Sequence, residues 1–267
     1  MKERLLTILV SVPVIFGCTY FGSIPFMLLV LALALFSINE FYNLMRRKNY
    51  DPQFIIGNFF TAFFIIFAYW ALKRHWEPAH SAILTCAAVL TFSSGIFHKK
   101  IQDAIPNIAV TLMGIFYIGW LFSYLLFIRA LTDHGAYIFF LMLTIWANDI
   151  TAYLVGSKFG RTKLIPHISP KKSVVGAVAG FVVCVGASVL FSQFMVEINL
   201  LDALFLGITV GIVAQISDLV ESLIKRDAGV KDSSGIVPGH GGVLDRMDSF
   251  ILTAPIMYYY IVWVILR

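Results

Sequence analysis

The sequence has few charged residues and no long polar stretch. Only 13% of its 267 residues are Asp, Glu, Lys or Arg, whereas 59% are hydrophobic and the mean hydropathy is +0.85. Soluble domains contain about 25% charged and about 45–50% apolar residues, so this composition excludes an ordinary soluble protein. Because no polar interval exceeds about two dozen residues, the sequence also leaves no room for a separate soluble domain.

Cysteine is scarce, and a cleavage signal is missing. Cys18, Cys86 and Cys184 stand singly in apolar stretches, so they form neither a disulfide framework nor a zinc-ligand spacing. Lys2 and Arg4 resemble the basic start of a signal peptide, but no small-x-small cleavage site follows the first apolar run. We therefore expect this run to span the membrane rather than to be removed.

Long apolar runs make up most of the chain. A membrane-spanning helix needs ~20 mostly apolar residues. The pattern predicts an all-α, polytopic integral membrane protein with about nine transmembrane helices and a cytoplasmic N-terminus. The predicted spans are residues 5–21, 24–45, 53–72, 80–97, 104–128, 136–156, 174–195, 202–223 and 248–266.

The basic residues set the predicted orientation. With the N-terminus inside, sixteen of the 20 Lys and Arg residues lie in cytoplasmic segments, and only Lys73, Arg74, Arg129 and Arg267 lie on the other side. This bias follows the positive-inside rule and supports an odd number of spans. The net charge of +5 is thereby explained largely by topology, and no nucleic-acid partner is needed.

Polar groups are concentrated in the C-terminal half. We interpret residues 1–135 as a scaffold of transmembrane helices, with lipid or oligomer contacts, and residues 136–267 as the catalytic region. Two cytoplasmic loops are predicted in the latter, over residues 156–173 and 224–247. In the N-terminal part, Glu40 and Asn43 stand one helical turn apart, and we expect them to cap or hydrogen-bond rather than to react.

A first group of polar residues ends the eighth span. Asp218, Glu221, Ser222 and Lys225 have relative positions 0, 3, 4 and 7, so they share one face of a helix, with Arg226 adjacent. A carboxylate at membrane depth normally faces a partner or a wet cavity. Taken alone, this face fits an Asp218–Lys225 packing pair as well as it fits a functional site.

A second group begins the last span. Asp245 alone would suit a helix N-cap, but Asp248 follows three residues later with Arg246 between them. The preceding glycine-rich turn, residues 238–242, can present backbone N–H groups to an anion. Clustered carboxylates and bases therefore favour a site for a metal and a polyphosphate. Since only oxygen ligands are available, the metal expected is Mg²⁺ or a similar hard cation.

Further candidates lie in the two loops. Lys231 and Asp232 would be a solvated pair if considered alone, and His240 is either a general base, a phosphate donor or, more commonly for a lone histidine, a structural residue. The 156–173 loop has no acidic residue, and its compact run Ser169-Pro170-Lys171-Lys172-Ser173 places hydroxyls and ammonium groups at a helix start. Upstream, Asp149 and Tyr153 share a helix face.

These motifs resemble the phosphatidate cytidylyltransferase, or CDP-diacylglycerol synthase, family. The order and spacing of its signature are matched by Ser222, Lys225-Arg226, Lys231-Asp232, Pro238, His240-Gly241-Gly242 and Asp245-Arg246-Met247-Asp248. The Asp149 to Gly160 segment and residues 169–173 are also similar to the family. Four positions depart from the pattern that we expect of it, namely Ile150, Val175, Ser217 and Ser234.

The resemblance implies transfer of a cytidylyl group from CTP to phosphatidate, giving CDP-diacylglycerol and pyrophosphate. It implies metal binding by Asp218 and Asp245, with Mg²⁺ as cofactor and K⁺ nearby. The catalytic residues would be Asp218, Lys225, Arg226, Lys231, Asp232, His240, Asp245, Arg246 and Asp248. The substrate-binding residues would be Asp149, Tyr153, Lys163, Ser169, Lys171, Lys172, Ser222, Gly241 and Gly242.

The expected partners are CTP, phosphatidate and membrane lipids, with a homodimer left open. We expect the protein in a bacterial inner membrane, with its active site facing the cytoplasm and a wet, funnel-shaped cavity among spans six to nine. Two alternatives stay open. A CTP-dependent kinase of a lipid alcohol would use similar groups, and a transporter could use Asp149, Asp218 and Glu221 as a relay of buried carboxylates.

Overall fold

The computed structural model describes residues 2–74, 79–97, 101–237 and 241–267. Within these ranges the chain is a bundle of helices with one short hairpin. The elements are α1 (Lys2–Phe21), α2 (Ser23–Arg47), α3 (Phe54–Arg74), α4 (Ala79–Ile96), α5 (Ala104–Gly114), α6 (Leu121–Ala130), α7 (Ala136–Phe159), β1 (Lys163–Ile165), β2 (Ser169–Ser173), α8 (Val174–Met195), α9 (Leu200–Asp227) and α10 (Leu244–Tyr260).

The predicted spans correspond to these helices. Eight helical segments in the described ranges are long and apolar enough to cross a membrane. The first helix, α1, has 20 residues, of which Leu9–Phe21 form a shorter apolar stretch. A π-helical segment, Ile115–Trp120, joins α5 to α6 without a break, so these helices form one span of 27 residues from Ala104 to Ala130. The all-α membrane fold is therefore confirmed.

Contacts between helix ends show which termini share a side of the bundle. At one end, Lys48 Nζ lies 2.6 Å from Asp227 Oδ1, which joins the segment after α2 to the end of α9. This hydrogen bond is the main reason that the pKa of Lys48 is raised. At the other end, the buried Arg129 of α6 donates to the carbonyls of Thr19, Tyr20, Thr132 and Asp133. These groupings agree with the alternating helix directions that the sequence predicts.

Helices α7 and α8 pack closely through small residues. A Cβ added to Gly176 would lie 2.6 Å from the Ala152 carbonyl oxygen, and one added to Gly180 would lie 2.7 Å from the Asn148 carbonyl oxygen. Small residues of this kind let the backbones of two membrane helices approach closely. Gly186 differs, because nothing lies within 4 Å of its added Cβ. The close approach holds Asn148 and Asp149 of α7 beside the start of α8.

The predicted loop 156–173 is more ordered than expected. Helix α7 continues to Phe159, and β1 pairs antiparallel with β2, with Lys163 opposite Ser173 and Ile165 opposite Ser169. Ser173 then caps α8, since its side chain accepts a hydrogen bond from Gly176 N. A hairpin that leads directly into a capped helix fixes where Lys171 and Lys172 emerge.

Candidate active site

The functional candidates from distant parts of the sequence line one cavity. Its volume is about 1350 Å³, and its walls include α7, the hairpin, α9 and the start of α10. The predicted residues that line it are Asp149, Tyr153, Lys163, Lys171, Lys172, Asp218, Lys225, Asp232, Asp245, Arg246 and Asp248.

Asp218 is paired with the hairpin rather than with its own helix. Its Oδ2 lies 2.5 Å from Lys172 Nζ, so the Asp218–Lys225 packing pair, which was the alternative for this helix face taken alone, is not the one formed. Ser222, one turn along α9, donates a long hydrogen bond of 3.4 Å to Asp218 Oδ1. The hairpin decides this pairing, because it brings an ammonium group within contact distance of a carboxylate that lines the cavity. Oδ1 therefore keeps lone pairs available for another ligand.

Lys225 forms a second, more deeply buried charge cluster. Its Nζ lies 2.6 Å from Glu221 Oε2 and 2.6 Å from Asp245 Oδ1. The side chains of Glu221, Asp245 and Lys225 are 0%, 6% and 11% exposed, respectively. The Glu221 contact is a close ion pair without hydrogen-bond geometry, and within the described ranges neither Glu221 oxygen has a hydrogen-bond partner. This cluster joins the end of α9 to the start of α10.

Asp245 binds Ser233 and Gly242, which precede α10 in the chain. It lies in the first turn of the helix, whose N-cap position is Val243, so the interpretation of Asp245 as the N-cap is wrong. Its Oδ2 accepts hydrogen bonds from Gly242 N at 2.7 Å and from Ser233 N and Oγ, both at 3.0 Å. Gly241, at φ +85°, makes the turn that allows this approach. Both Asp245 oxygens are therefore occupied by protein donors.

Two further carboxylates line the cavity from α7 and α10. Asp149 accepts from Asn148 Nδ2 at 3.1 Å and from Ser249 Oγ at 3.4 Å. Gln215 of α9 holds Asn148 in turn, donating to its Oδ1 at 3.1 Å. Asp248 accepts from Ser249 N at 2.6 Å. Asp149, Asp218 and Asp248 thus bring carboxyl groups to the cavity from three helices.

The remaining predicted residues lie around this cavity or outside it. Arg226 does not line the cavity; it donates to the carbonyls of Ile168 and Val230 and so anchors the hairpin and the segment after α9. Lys231 is exposed on that segment. His240, Pro238 and Gly239 lie outside the described residues. Also away from the lining are Ser169, Ser222, Gly241 and Gly242.

Glu40 of α2 contacts the residues around Asp245, and the sequence did not predict this contact. It is 2% exposed and accepts hydrogen bonds from Ser233 Oγ, Ser234 Oγ, Val243 N and Leu244 N. The expectation that Glu40 hydrogen-bonds is confirmed. Its partners, however, are about 200 residues away along the chain, and periodicity within α2 carries no signal for them.

The departures from the family pattern have local explanations. Ser234 donates to Glu40 at 2.5 Å. Ser217 donates to the Asp248 carbonyl and accepts from Leu252 N, so it ties α9 to α10. Val175 is 44% exposed, as an apolar side chain that faces lipid would be, whereas Ile150, at 58% exposure, lines the cavity.

The cavity extends from the charged groups into an apolar region. Val12 and Ile15 of α1 and Phe26, Leu29 and Val30 of α2 line it, together with Trp146 of α7. The predicted cavity among spans six to nine is therefore also bounded by the first two helices. Because one continuous space joins polar and apolar walls, it suits an amphipathic ligand.

The carboxylates of the cavity could hold a hard cation only together with ligands from a substrate. Within the described ranges, no three Asp, Glu, His or Cys side chains form a cage that could hold a metal alone. Mg²⁺ is usually held by one or two carboxylates together with substrate phosphates. Asp218 fits this mode because its Oδ1 is largely free, and Asp248 also lines the cavity. Asp245 fits less readily because Lys225, Ser233 and Gly242 occupy its oxygens.

Comparisons with known proteins identify the family of this chain. A sequence model of the cytidylyltransferase family matches residues 2–264, so the chain belongs to that family. It is 31% identical over 261 residues to a phosphatidate cytidylyltransferase of Bacillus subtilis, covering 97% of each chain. It is also 31% identical to one of Synechocystis, covering 97% of this chain and 96% of the relative. An uncharacterized Escherichia coli protein, YnbB, is 44% identical over 124 residues, or 46% of this chain and 42% of the relative.

Proposed function

We propose that this protein is a phosphatidate cytidylyltransferase, which converts CTP and phosphatidate to CDP-diacylglycerol and pyrophosphate. The observation that carries this proposal is the single cavity in which clustered acids and bases adjoin an apolar channel. CTP needs the charged end of such a site, and the acyl chains of phosphatidate need the apolar end. The similarity to phosphatidate cytidylyltransferases along nearly the whole chain supports the same substrates.

In the proposed reaction, a phosphate oxygen of phosphatidate attacks the α-phosphorus of CTP. The bond from the α-phosphorus to the bridging oxygen breaks, and pyrophosphate leaves with that electron pair. A phosphate monoester is largely ionised near neutral pH, so this step requires no strong general base. Catalysis would then depend mainly on positioning and on neutralising phosphate charge.

The basic side chains on the cavity wall are suited to hold the phosphates. Lys163, Lys171, Lys172 and Arg246 line it from the hairpin and from α10. Lys172 is the ammonium nearest to an acidic group of the cavity, at 2.5 Å from Asp218. We infer that these residues bind the triphosphate and the lipid phosphate together. Lys231, exposed on the segment after α9, extends the basic set toward incoming CTP.

We propose that Asp218 and Asp245 hold Mg²⁺, with K⁺ nearby. The metal would supply charge neutralisation on the phosphates and on the leaving pyrophosphate. The free lone pairs of Asp218 support its part, whereas Asp245 would first have to give up its contact with Lys225. Asp248 is the alternative second carboxylate, because it lines the cavity and accepts a hydrogen bond from the neighbouring backbone N–H of Ser249.

We also propose a bacterial inner-membrane location with the charged end of the cavity toward the cytoplasm. Support comes from the sixteen-to-four distribution of basic residues and from the cytoplasmic supply of CTP. The lipid would enter laterally with its tails in the bilayer, because extracting each CH₂ would cost roughly 0.8 kcal/mol. The homodimer stays a prediction.

The reaction is tested with purified protein, phosphatidate and CTP labelled at either the α- or the γ-phosphate, with and without Mg²⁺. Cytidylyl transfer moves the α-label into the lipid fraction and releases the γ-label as pyrophosphate. A kinase acting on an added lipid alcohol would instead move the γ-label into lipid. Absence of label transfer to either lipid would contradict the enzymatic proposal and leave the transporter, and the Asp218→Asn variant provides the inactive control.

A further inference from the structure

Helix α10 begins without a cap of its own. Its N-cap position is occupied by Val243, which has no side-chain hydrogen bond to offer. The first N–H groups of a helix have no partner within the helix and must be satisfied from elsewhere when they are buried. Val243 and Leu244 are 7% and 0% exposed. Their N–H groups therefore need an acceptor from another part of the chain.

Glu40 supplies that acceptor from α2. Its Oε1 accepts from Val243 N at 3.0 Å and its Oε2 accepts from Leu244 N at 2.8 Å. A carboxylate at this position also interacts favourably with the positive end of the helix dipole. A residue of the N-terminal half thereby caps the helix that carries Asp245 and Asp248.

The same carboxylate also holds the segment that precedes α10. Ser233 Oγ donates to Glu40 Oε2 at 3.0 Å, and Ser234 Oγ donates to Oε1 at 2.5 Å. Ser233 in turn contacts Asp245, through its backbone N at 3.0 Å and its Oγ at 3.0 Å. Glu40 and Asp245 therefore share the one hydroxyl proton of Ser233, and the backbone N–H of Ser233 binds Asp245 as well.

Gly242 shows how closely Glu40 is fitted to this segment. A Cβ added to Gly242 would lie 2.6 and 2.7 Å from the two Glu40 oxygens and 1.9 Å from Ser233 Oγ. Only a residue without a side chain allows the backbone to pass here. Because Gly242 N donates to Asp245 at 2.7 Å, the fit at Glu40 also determines where the Asp245 carboxylate lies.

We propose that Glu40 is a positioning residue of the active site, which caps α10 and holds Ser233 and Ser234 so that Asp245 and Lys225 keep their places. This inference rests on the proposed function for its kinetic consequences. Glu40 does not line the cavity and so would not touch substrate. Its effect would be transmitted through Ser233 and the start of α10.

The test compares Glu40→Gln and Glu40→Ala with Asn43→Ala, an exposed position on the same helix. We expect kcat/KM for CTP to fall at least tenfold, or about 1.4 kcal/mol, in Glu40→Ala, and less in Glu40→Gln. Glutamine keeps the size of the side chain and one acceptor oxygen. The KM for phosphatidate should stay within twofold, and Asn43→Ala should behave as the wild type.

Hydrogen exchange of the peptide covering residues 241–250 gives a readout that does not depend on activity. Loss of protection there in Glu40→Ala, with unchanged protection in α7 and α8, supports the proposal. Equal loss throughout the bundle would overturn it, since Glu40 would then act as a general stability residue. Unchanged exchange and turnover in both variants would overturn it too. Failure of the wild type to use CTP would refute the proposed function, while the exchange result would still decide the capping role.

Discussion

Replacing Lys225 by methionine tests the buried charge cluster between α9 and α10. The substitution keeps the length of the side chain but leaves Glu221 and Asp245, at 0% and 6% exposure, without their common cation. Removing one partner of a buried ion pair costs about 3–5 kcal/mol, because the remaining charge stays buried and uncompensated. Asp245 retains its bonds to Ser233 and Gly242, so most of the loss should come from Glu221, which has no hydrogen bond among the described residues.

A double variant separates stability from chemistry. In Lys225→Met/Glu221→Met the uncompensated carboxylate is gone, and apolar side chains of similar volume often replace a buried ion pair at little cost. We expect the double variant to recover at least half of the lost stability, whereas turnover stays lost because Lys225 lines the cavity. Coupling between the two sites is read from the double-mutant cycle.

The assay is unfolding in detergent, followed by fluorescence, with turnover measured at a temperature where all variants remain folded. A loss of about 3–5 kcal/mol corresponds to a melting shift on the order of 10 °C for a chain of this size. Lys225→Arg is the control that keeps the positive charge. Wild-type stability in Lys225→Met would refute the ion-pair argument, and renewed turnover in the double variant would refute a role for Lys225 in the reaction.

Three other predictions concern the metal, CTP and the far side of the bundle. Asp218→Asn should abolish Mg²⁺-dependent turnover with the fold retained, and near-normal activity in this variant would remove the metal assignment. Lys231→Ala should raise the KM for CTP by about tenfold, as expected for a lost charge-assisted phosphate contact. Membrane insertion, checked by fractionation, should stay unchanged. An unchanged KM together with impaired insertion would contradict this prediction. Arg129→Ala leaves four carbonyls without their donor. It should lower the free energy of unfolding by about 3 kcal/mol but leave turnover at low temperature unchanged. A loss of turnover without a loss of stability would contradict a structural role for Arg129.

Local sequence patterns predicted the membrane spans well, because the hydropathy of a segment depends only on the residues within that segment. Helix α8, for example, is a continuous apolar run with a serine at its N-cap, and both features are visible in the sequence. The hairpin at 163–173 was missed, since its short strands are basic and do not alternate in the way a buried strand would.

The pairing of charges inside the site was less predictable. On α9 the spacing allowed a pair of Asp218 with Lys225, yet Asp218 pairs with Lys172 and Lys225 pairs with Asp245. Spacing along one helix says which residues share a face, but it does not say which neighbouring element brings a partner to that face. For the same reason the sequence did not predict the roles of Ser233 and Gln215, which depend on contacts with other helices.

The sequence by itself determined that this chain lies in a membrane and which chemical groups are concentrated near α9 and α10, because hydropathy and motif spacing are local properties. Only the tertiary structure decided which acid meets which base, that the first two helices help to wall the cavity, and that Glu40 caps a helix about 200 residues away. The physical reason is that an ion pair or a buried hydrogen bond depends on distances of about 3 Å, and such distances between remote segments are fixed by helix packing.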